Sequence, residues 1–372
     1  MPALHELRFR SNPHVELKRL EDLAPQQREP FRELERDPDF YGLFVAKPPL
    51  AMNVQSVARQ TAELFHSLRT PAGVAIDDDM IDLVLDGILE IESNDGFISG
   101  ADALTLVCPS VNASAQGLSQ DALLHAQDLE TNDPQTLTMA LYLYNRIPMT
   151  PFWKTRFSNS EAVLAHIGAD GGSLRALLER EWIAGSTERT TGWLNWSSRT
   201  STRRTADDVT YKLYISPRPE RIRDAFEIVV RVLSEFPGTP FKIGDGAAGL
   251  LRPDKLVAYF ATRELLDEAA EVLLRELAGC DAHGVPFTGG LDDSGLLSWG
   301  IDPPDSDRVL KWTGPRSWRL WVAQRLGAAL AIAKSTCKTA TVEPSHFAIE
   351  RARRHGVDIE TWTPSATLWS TA

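Results

Sequence analysis

Cysteine is scarce in this sequence. The three cysteines, Cys108, Cys280 and Cys337, are odd in number and widely separated along 372 residues. Such spacing argues against a disulfide framework and against a zinc site, and it favours reduced thiols in a cytoplasm. Because 43% of the residues are hydrophobic, the chain can bury one large core or two moderate ones without covalent cross-links.

Long apolar runs are missing as well. Residues 1–20 include basic side chains but no continuous apolar stretch of signal-peptide length. No later segment approaches the run of about twenty apolar residues that spans a bilayer. We therefore expect a soluble, cytoplasmic protein that has no membrane partner.

Basic residues are absent between Arg69 and Arg146, and acidic residues accumulate there from Asp77 to Asp95. Residues 191–372 contain 23 basic and 23 acidic side chains, so the whole net charge of −12 lies in residues 1–190. Nucleic acid is not expected as a partner, because its phosphates are bound by clustered Lys and Arg. A basic protein or peptide segment fits this surface, and a solvated acidic face is the other interpretation.

Helical periodicity dominates the first half of the chain. Apolar residues recur at helical spacing in four segments, residues 51–70, 76–91, 133–148 and 161–185. Asp77 is placed to cap the second helix, and the pair Gly171-Gly172 divides the fourth segment into two helices. The sequence thus predicts a mainly helical, acidic region over residues 1–190.

Strand patterns appear in the second half. They cover residues 209–216, 241–245, 255–260 and 296–299, and they alternate with helix patterns over residues 221–236, 262–279 and 317–334. A polar loop over residues 197–208 lies near the border between the halves. We therefore predict an α+β protein whose mainly helical N-terminal half precedes a mixed sheet-and-helix domain over residues 191–372.

Several familiar catalytic signatures are absent. The sequence has no Gly-rich phosphate loop, no GxSxG elbow, no HExxH helix and no metal-spaced cluster of His and Cys. The run GDGAAG at Gly244–Gly249 lacks the helix that a dinucleotide fingerprint requires, because a strand follows it. The sequence therefore predicts neither a metal site nor an organic cofactor.

Cations and tyrosines on the predicted strands are the best candidates for a site. Alternate residues of a strand share a face, and the strands of one sheet bring such faces together. Six side chains would meet in this way: Lys212, Tyr214, Lys242, Arg252, Lys255 and Tyr259. Each alone is better explained as a surface lysine or a half-buried tyrosine. Their shared place on one predicted sheet favours a common site.

Five blocks within residues 191–364 carry a resemblance to a known family: YKLYIS, FKIGD, LRPDKLVAYF, GVPFTGGLDDSGLLSWGIDPP and HFAIERARRHGVDIETWTP. They resemble the HopA-type family, which includes type III effectors and LanY-like lyases of class V lanthipeptide and thioamitide pathways. The same region is similar to the bacterial phosphothreonine lyases. By motif, Lys212 matches the first lysine of those lyases, Lys242 matches their base, and Tyr214 occupies the position of their acid histidine.

The phosphate side of the site also follows from the resemblance. Arg252 and Tyr259 resemble an arginine and a tyrosine that contact phosphate in those lyases, although they stand closer together here. Lys255 joins this predicted phosphate-binding set. Because Tyr214 replaces histidine, the acid would have to be the phenol or another group.

The resemblance implies a carbon–oxygen lyase that needs no cofactor. It would eliminate phosphate from phosphoserine or phosphothreonine in a ribosomally made precursor peptide, leaving dehydroalanine or dehydrobutyrine. Since the chain contains no kinase motif, a separate Ser/Thr kinase would supply the phosphate. Residues 1–190 would then bind that partner or the leader peptide.

The chemistry of elimination suits these residues. Removing the weakly acidic Cα proton needs a base, and a lysine acts as one only when its pKa is lowered. Burial and the cations Lys212 and Arg252 would lower the pKa of Lys242, and nearby cations would lower that of Tyr214. Three alternatives remain open: a non-catalytic phosphopeptide- or leader-binding partner of a kinase, a structural scaffold for a kinase, and an effector lyase acting on a phosphoprotein.

Overall fold

The computed structural model describes residues 7–94, 96–108, 117–185, 192–200, 210–303, 317–336 and 342–365, so Asp95, Val209 and Cys337 lie outside it. Its helices are α1 Pro25–Arg28, α2 Arg59–Ser67, α3 Asp78–Leu85, α4 Leu104–Val107, α5 Gly117–Asp128, α6 Pro134–Tyr142, α7 Pro151–Arg156, α8 Ser160–Ile167, α9 Gly172–Glu181, α10 Ile222–Leu233, α11 Ala247–Leu250, α12 Arg263–Glu276, α13 Trp318–Thr336 and α14 Pro344–Arg354. Short 3-10 helices are Leu20–Asp22, Glu29–Arg36, Gly100–Ala103 and Pro219–Arg221.

The strands are β1 Arg8–Ser11, β2 Val15–Lys18, β3 Phe40–Ala46, β4 Gln55–Ala58, β5 Ala72–Gly73, β6 Leu89–Ser93, β7 Gly96–Ile98, β8 Trp182–Ala184, β9 Trp193–Ser198, β10 Tyr211–Ile215, β11 Phe241–Gly244, β12 Leu256–Phe260, β13 Gly289–Gly290, β14 Leu297–Ile301, β15 Val357–Asp358 and β16 Thr363–Pro364. Seven of them form one antiparallel sheet in the order β13-β14-β10-β12-β11-β9-β8. Smaller sheets have the orders β5-β1-β6-β7, β2-β3-β4 and β15-β16. The predicted α+β class is confirmed.

Two segments of the N-terminal half that the sequence predicts as single helices each contain a strand and a shorter helix. Residues 51–70 contain β4 before α2, and residues 76–91 contain α3 before β6. Asp77 does cap α3, because its side chain accepts a hydrogen bond from the backbone N–H of Met80. Gly87 follows α3 with a φ of 76°, a left-handed conformation that suits glycine and lets the chain leave the helix.

Two hydrophobic cores organise the described residues. The first combines residues 7–141 with Phe287 and residues 318–362, and the second spans residues 153–297 around the seven-stranded sheet. The first core thus joins the N-terminal half to α13 and α14. The division at residue 190 stays a prediction. In the described ranges, no helix is long and apolar enough to cross a membrane.

Part of the acidic surface is neutralised within the chain. Arg351 of α14 is fully buried, and its guanidinium nitrogens lie 2.5 Å from Asp82 and 2.6 Å from Asp86. Arg354 adds contacts of 2.8 Å to Asp82 and 3.2 Å to Asp78. Helix α3 therefore binds helix α14 through ion pairs that range from partly buried to exposed, and these pairs reduce the charge that α3 offers to an external basic partner.

Candidate active site

The seven-stranded sheet brings four of the predicted residues to one face. Between β10 and β12, Lys212 lies directly opposite Tyr259, and Tyr214 lies opposite Val257. Lys242 of β11 lies opposite the same Val257 from the other side of β12. Alternate residues of a strand share a face, and neighbouring strands are about 4.8 Å apart, so these side chains form one cluster.

Lys242 lies among aromatic rings and cations. Its Nζ is 4.3 Å from the ring centroid of Trp193 and 5.6 Å from that of Tyr259. Burial, followed by the positive charges of Lys212 and Arg252, lowers the pKa of Lys242 from 10.5 to about 8. About one molecule in ten therefore carries a neutral Lys242 at pH 7, the state that can accept a proton.

Lys212 contacts the same tyrosine ring. Its Nζ lies 5.7 Å from the Tyr259 ring centroid, and its ammonium pairs with Asp302 at the end of β14. Burial is the largest cause that raises the pKa of Tyr259, so this phenol stays neutral. Tyr259 thus offers its ring to both lysines as a cation–π partner.

Arg252 is oriented by two hydrogen-bonding partners. Its Nε and Nη2 donate to the two oxygens of Asp254 at 2.8 and 2.9 Å, and Nη2 also donates to the hydroxyl of Tyr142 at 2.7 Å. Nη1 has no hydrogen-bond partner among the residues the structure describes. The guanidinium is therefore held in place while two N–H groups stay available to a ligand.

Arg319 connects the helical core to this cluster. It lies at the start of α13, it is fully buried, and its Nη1 is 3.0 Å from Oδ2 of Asp254. Its Nε donates to the carbonyl of Pro286 at 3.2 Å, and its Nη2 donates to the carbonyl of Tyr142. Burial by itself would raise the pKa of Asp254, but Arg319 and Arg252 hold it well below its ordinary value. Asp254 is thus a buried carboxylate shared by two arginines.

Tyr214 is buried, with 3% of its surface exposed, and its hydroxyl has no hydrogen-bond partner in the described part of the chain. Burial, and after it the charges of Asp254 and Asp302, raises the pKa of Tyr214 well above 10. The expectation that neighbouring cations lower this pKa is therefore wrong. A phenol that stays protonated is a permanent donor, and an unpaired buried hydroxyl costs about 1–3 kcal/mol unless a ligand engages it.

Lys255 is not brought to this cluster. It is fully buried just before β12, and its Nζ lies 2.8 Å from Nδ1 of His283. Burial is the largest cause that lowers its pKa to about 7, and the charges it senses are those of Asp254, Arg218 and Glu220. This placement corrects the predicted phosphate-binding set, because Nζ of Lys255 is engaged by His283, which is not one of the groups around Lys242 and Arg252.

The glycine run after β11 is a packing feature. A Cβ on Gly244 would lie 2.4 Å from the backbone of Gly249, so the two glycines allow the chain to touch itself. The four-residue helix α11 follows within this run, where the sequence predicts only the approach to a strand. Across the described ranges, no group of three or more His, Cys, Asp or Glu side chains is arranged to hold a metal ion.

Sequence patterns do not point to five further residues of this site: Tyr142, Trp193, Asp254, Asp302 and Arg319. Asp254 carries a usable signal, since it lies between the predicted cations Arg252 and Lys255, and buried cations need carboxylate partners. Asp302 lies in a resembling block without a lysine or arginine, so the sequence does not indicate its pairing with Lys212. Trp193 lies two residues before the position opposite Lys242, so strand alternation could have found it. Tyr142 and Arg319 belong to helices whose pattern indicates only core packing.

No protein-family model matches the chain, and a comparison with the curated proteins finds no match to its sequence. An effector protein from Pseudomonas syringae pv. tomato strain DC3000 is similar to it at 13% identity and a TM-score of 0.38, over 61% of this chain and 94% of its own. An effector from Pseudomonas syringae pv. syringae strain 61 has 11% identity and a TM-score of 0.37, over 67% and 98%.

The type III effector/phosphothreonine lyase OspF from Shigella flexneri has 11% identity and a TM-score of 0.28, over 51% of this chain and 98% of its own. All three TM-scores lie below 0.5 and all three identities below 25%. A likeness this weak carries no conclusion about activity, so the function of this chain has to be argued from its own residues.

Proposed function

We propose that this chain is a lyase that removes phosphate from phosphoserine or phosphothreonine by β-elimination. One observation carries the proposal: Lys242, whose pKa falls to about 8, shares a sheet face with the buried, unpartnered hydroxyl of Tyr214. Arg252 adds two unengaged N–H groups to the same cluster. A base, a donor to the leaving group and a cation for phosphate are the groups that this elimination needs.

Lys242 acts as the base. Its neutral Nζ takes the Cα proton of the phosphorylated residue, and the electrons of that C–H bond form the double bond between Cα and Cβ. The Cβ–O bond breaks, and its electrons leave with the phosphate. Lys242 becomes an ammonium, and the peptide now contains a dehydroamino acid.

Tyr214 and Arg252 act on the leaving phosphate. The Tyr214 phenol donates a hydrogen bond to the departing oxygen, and its raised pKa keeps the hydroxyl protonated throughout. Nη1 of Arg252 donates to the remaining oxygens, and the hydroxyl of Tyr142, which accepts from Arg252, has its own hydrogen to give.

The charge of the site suits a phosphate ester. When Lys242 is neutral, three cations and two carboxylates remain: Lys212, Arg252, Arg319, Asp254 and Asp302. The net positive charge attracts a phosphate that carries about −1.5 to −2 at pH 7. Both carboxylates are engaged by the cations, so they orient these side chains and do not face the ligand as free anions.

We further propose the kind of substrate and partner. The substrate is a ribosomally made precursor peptide, phosphorylated by a separate Ser/Thr kinase in the cytoplasm, and the products are dehydroalanine or dehydrobutyrine residues. The resembling sequence blocks and the absence of a kinase motif in the chain support this finer assignment. Residues 1–190 would bind the kinase or the leader peptide.

Mass spectrometry of a synthetic phosphoserine peptide tests the proposal. A lyase product is lighter than the substrate by phosphoric acid and lighter than a phosphatase product by one water. We expect this product with the wild-type chain and a loss of about 10²–10⁴-fold in rate with Lys242→Ala, since that is the usual contribution of a general base. Lys154→Ala, at an exposed lysine, is the matched control and should keep full activity.

Other outcomes lead to other functions. If the chain binds phosphopeptide but neither the wild type nor any variant forms product, the chain is a non-catalytic phosphopeptide-binding protein, which is the first alternative that the sequence leaves open. A product that still carries the serine hydroxyl would make it a phosphatase. Wild-type rates in Lys242→Ala would remove Lys242 from the role of base.

A further inference from the structure

A second chain of buried polar groups lies beside the candidate site. Nζ of Lys255 is 2.8 Å from Nδ1 of His283, and Nε2 of His283 is 2.5 Å from the carbonyl oxygen of Asn145. The side-chain amide of Asn145 donates back to the carbonyls of His283 at 2.7 Å and Gly284 at 3.2 Å. None of these groups has a part in the elimination proposed above.

The direction of these hydrogen bonds is set by the backbone. A carbonyl only accepts, so Nε2 of His283 must carry the hydrogen that reaches Asn145. Nδ1 is then an acceptor, and Lys255 must donate to it whether its amine is charged or neutral. Burial, followed by the charge of Lys255, lowers the pKa of His283 to about 3, so the imidazole keeps this neutral form at ordinary pH.

These contacts connect the two sides of the candidate site. Asn145 comes three residues after Tyr142, the last residue of α6, and its φ of 64° turns the chain sharply towards the sheet. Lys255 directly follows Asp254, which binds Arg252. The hydrogen bond from Arg252 to Tyr142 therefore joins the end of α6 to the segment before β12. The contacts of Lys255, His283 and Asn145 join the same two segments.

We infer that Lys255, His283 and Asn145 form a positioning relay that keeps the Tyr142 hydroxyl on Arg252 and so sets how tightly the site binds phosphate. The link to phosphate binding rests on the proposed function. The contacts of the relay can be tested without measuring turnover. None of the three residues touches the reacting atoms, so their effect should appear in phosphate affinity and KM more than in kcat.

Two substitutions at His283 separate positioning from packing. His283→Leu keeps the bulk and removes both hydrogen bonds, whereas His283→Gln has an amide that can donate to Asn145. For His283→Leu we expect the Kd of inorganic phosphate and the KM of a phosphopeptide to rise about tenfold, the effect of about one lost hydrogen bond. His283→Gln should recover most of this loss, and kcat should stay within about twofold in both.

Amide hydrogen exchange of residues 143–147 gives a readout that does not depend on turnover. His283→Leu and Lys255→Met should accelerate exchange in this segment, while α12 exchanges as in the wild-type chain. If the wild type shows no turnover but the segment responds and the phosphate Kd of His283→Leu rises as expected, the lyase proposal fails and the relay stands. The relay is refuted if Lys255→Met, as a folded protein, exchanges at the wild-type rate in this segment, or if Leu and Gln at position 283 raise the phosphate Kd equally.

Discussion

Turnover should rise with pH as Lys242 loses its proton. Since the pKa of Lys242 is about 8, kcat/KM should increase about tenfold for each pH unit well below pH 8 and level off above it. Burial raises the pKa of Tyr214 well above 10, so the donor phenol stays protonated across this range and adds no second limb. Lys242 and Tyr214 together should therefore give one ascending limb, centred above the second pKa of the substrate phosphate, which is about 6.

Two substitutions beside Lys242 should move this limb in opposite directions. Lys212→Met removes a positive charge that lowers the pKa of Lys242, and Asp302→Asn removes a negative charge that raises it. The two lysine Nζ atoms lie 5.7 and 5.6 Å from the Tyr259 centroid, so they are at most about 11 Å apart. At an effective dielectric constant of about 20, that separation gives about 1.5 kcal/mol, or about one pKa unit.

The assay is the initial rate of dehydroamino acid formation between about pH 6 and pH 10 at constant ionic strength. We expect an apparent pKa of about 9 for Lys212→Met and one below 8 for Asp302→Asn. The exposed-site variant Lys154→Ala should leave the limb in place. A shift of the same sign in both variants, or no shift in either, would show that the limb does not report Lys242.

Tyr214→Phe should slow elimination less than Lys242→Ala does, because phosphate is a good leaving group. The same variant should raise the free energy of unfolding in urea by about 1 kcal/mol, because it removes an unpaired buried hydroxyl. Tyr214→His should retain turnover with a second limb near the imidazole pKa, measured in the same pH series. Arg319→Met should lower the free energy of unfolding by about 3 kcal/mol, since it breaks a buried pair with Asp254. Turnover should persist in excess chelator; a requirement for added Mg²⁺ or Zn²⁺ would contradict the proposed mechanism.

The part of the site that lies on strands could be predicted from the sequence. Alternation with a period of two places Lys212 and Tyr214 on one face of β10, and the observed register brings Lys242 into the same cluster. The strand order β10-β12-β11 could not be predicted in this way, because β12 comes later in the chain than both of its neighbours. Lys255 stands one residue before β12, and its carbonyl still accepts a hydrogen bond from Gly244 of β11. Its side chain pairs with His283, which lies in a loop that no strand pattern indicates.

The N-terminal strands show a different limit. The apolar residues of Gln55–Ala58 and Leu89–Ser93 fit a helical pattern as well as an extended one, since runs of four or five residues are too short to distinguish the two periods. Each segment becomes a strand because a partner supplies its hydrogen bonds: the preceding strand β3 for the first, and the distant β1 together with the following strand β7 for the second. Strand pairing therefore overrides local preference at both places.

The contact between the two cores completes the phosphate side of the site, and it has no local signature. Tyr142 and Arg252 are 110 residues apart, and Arg319 donates to the Tyr142 carbonyl across 177 residues. Tyr142 in α6 and Arg319 in α13 have no sequence pattern that distinguishes them from ordinary core-facing residues of a helix. The base Lys242 and the donor Tyr214, in contrast, belong to the sheet alone. A change that loosens the contact between the cores should therefore weaken phosphate binding, and it should leave Lys242 and Tyr214 on their shared sheet face.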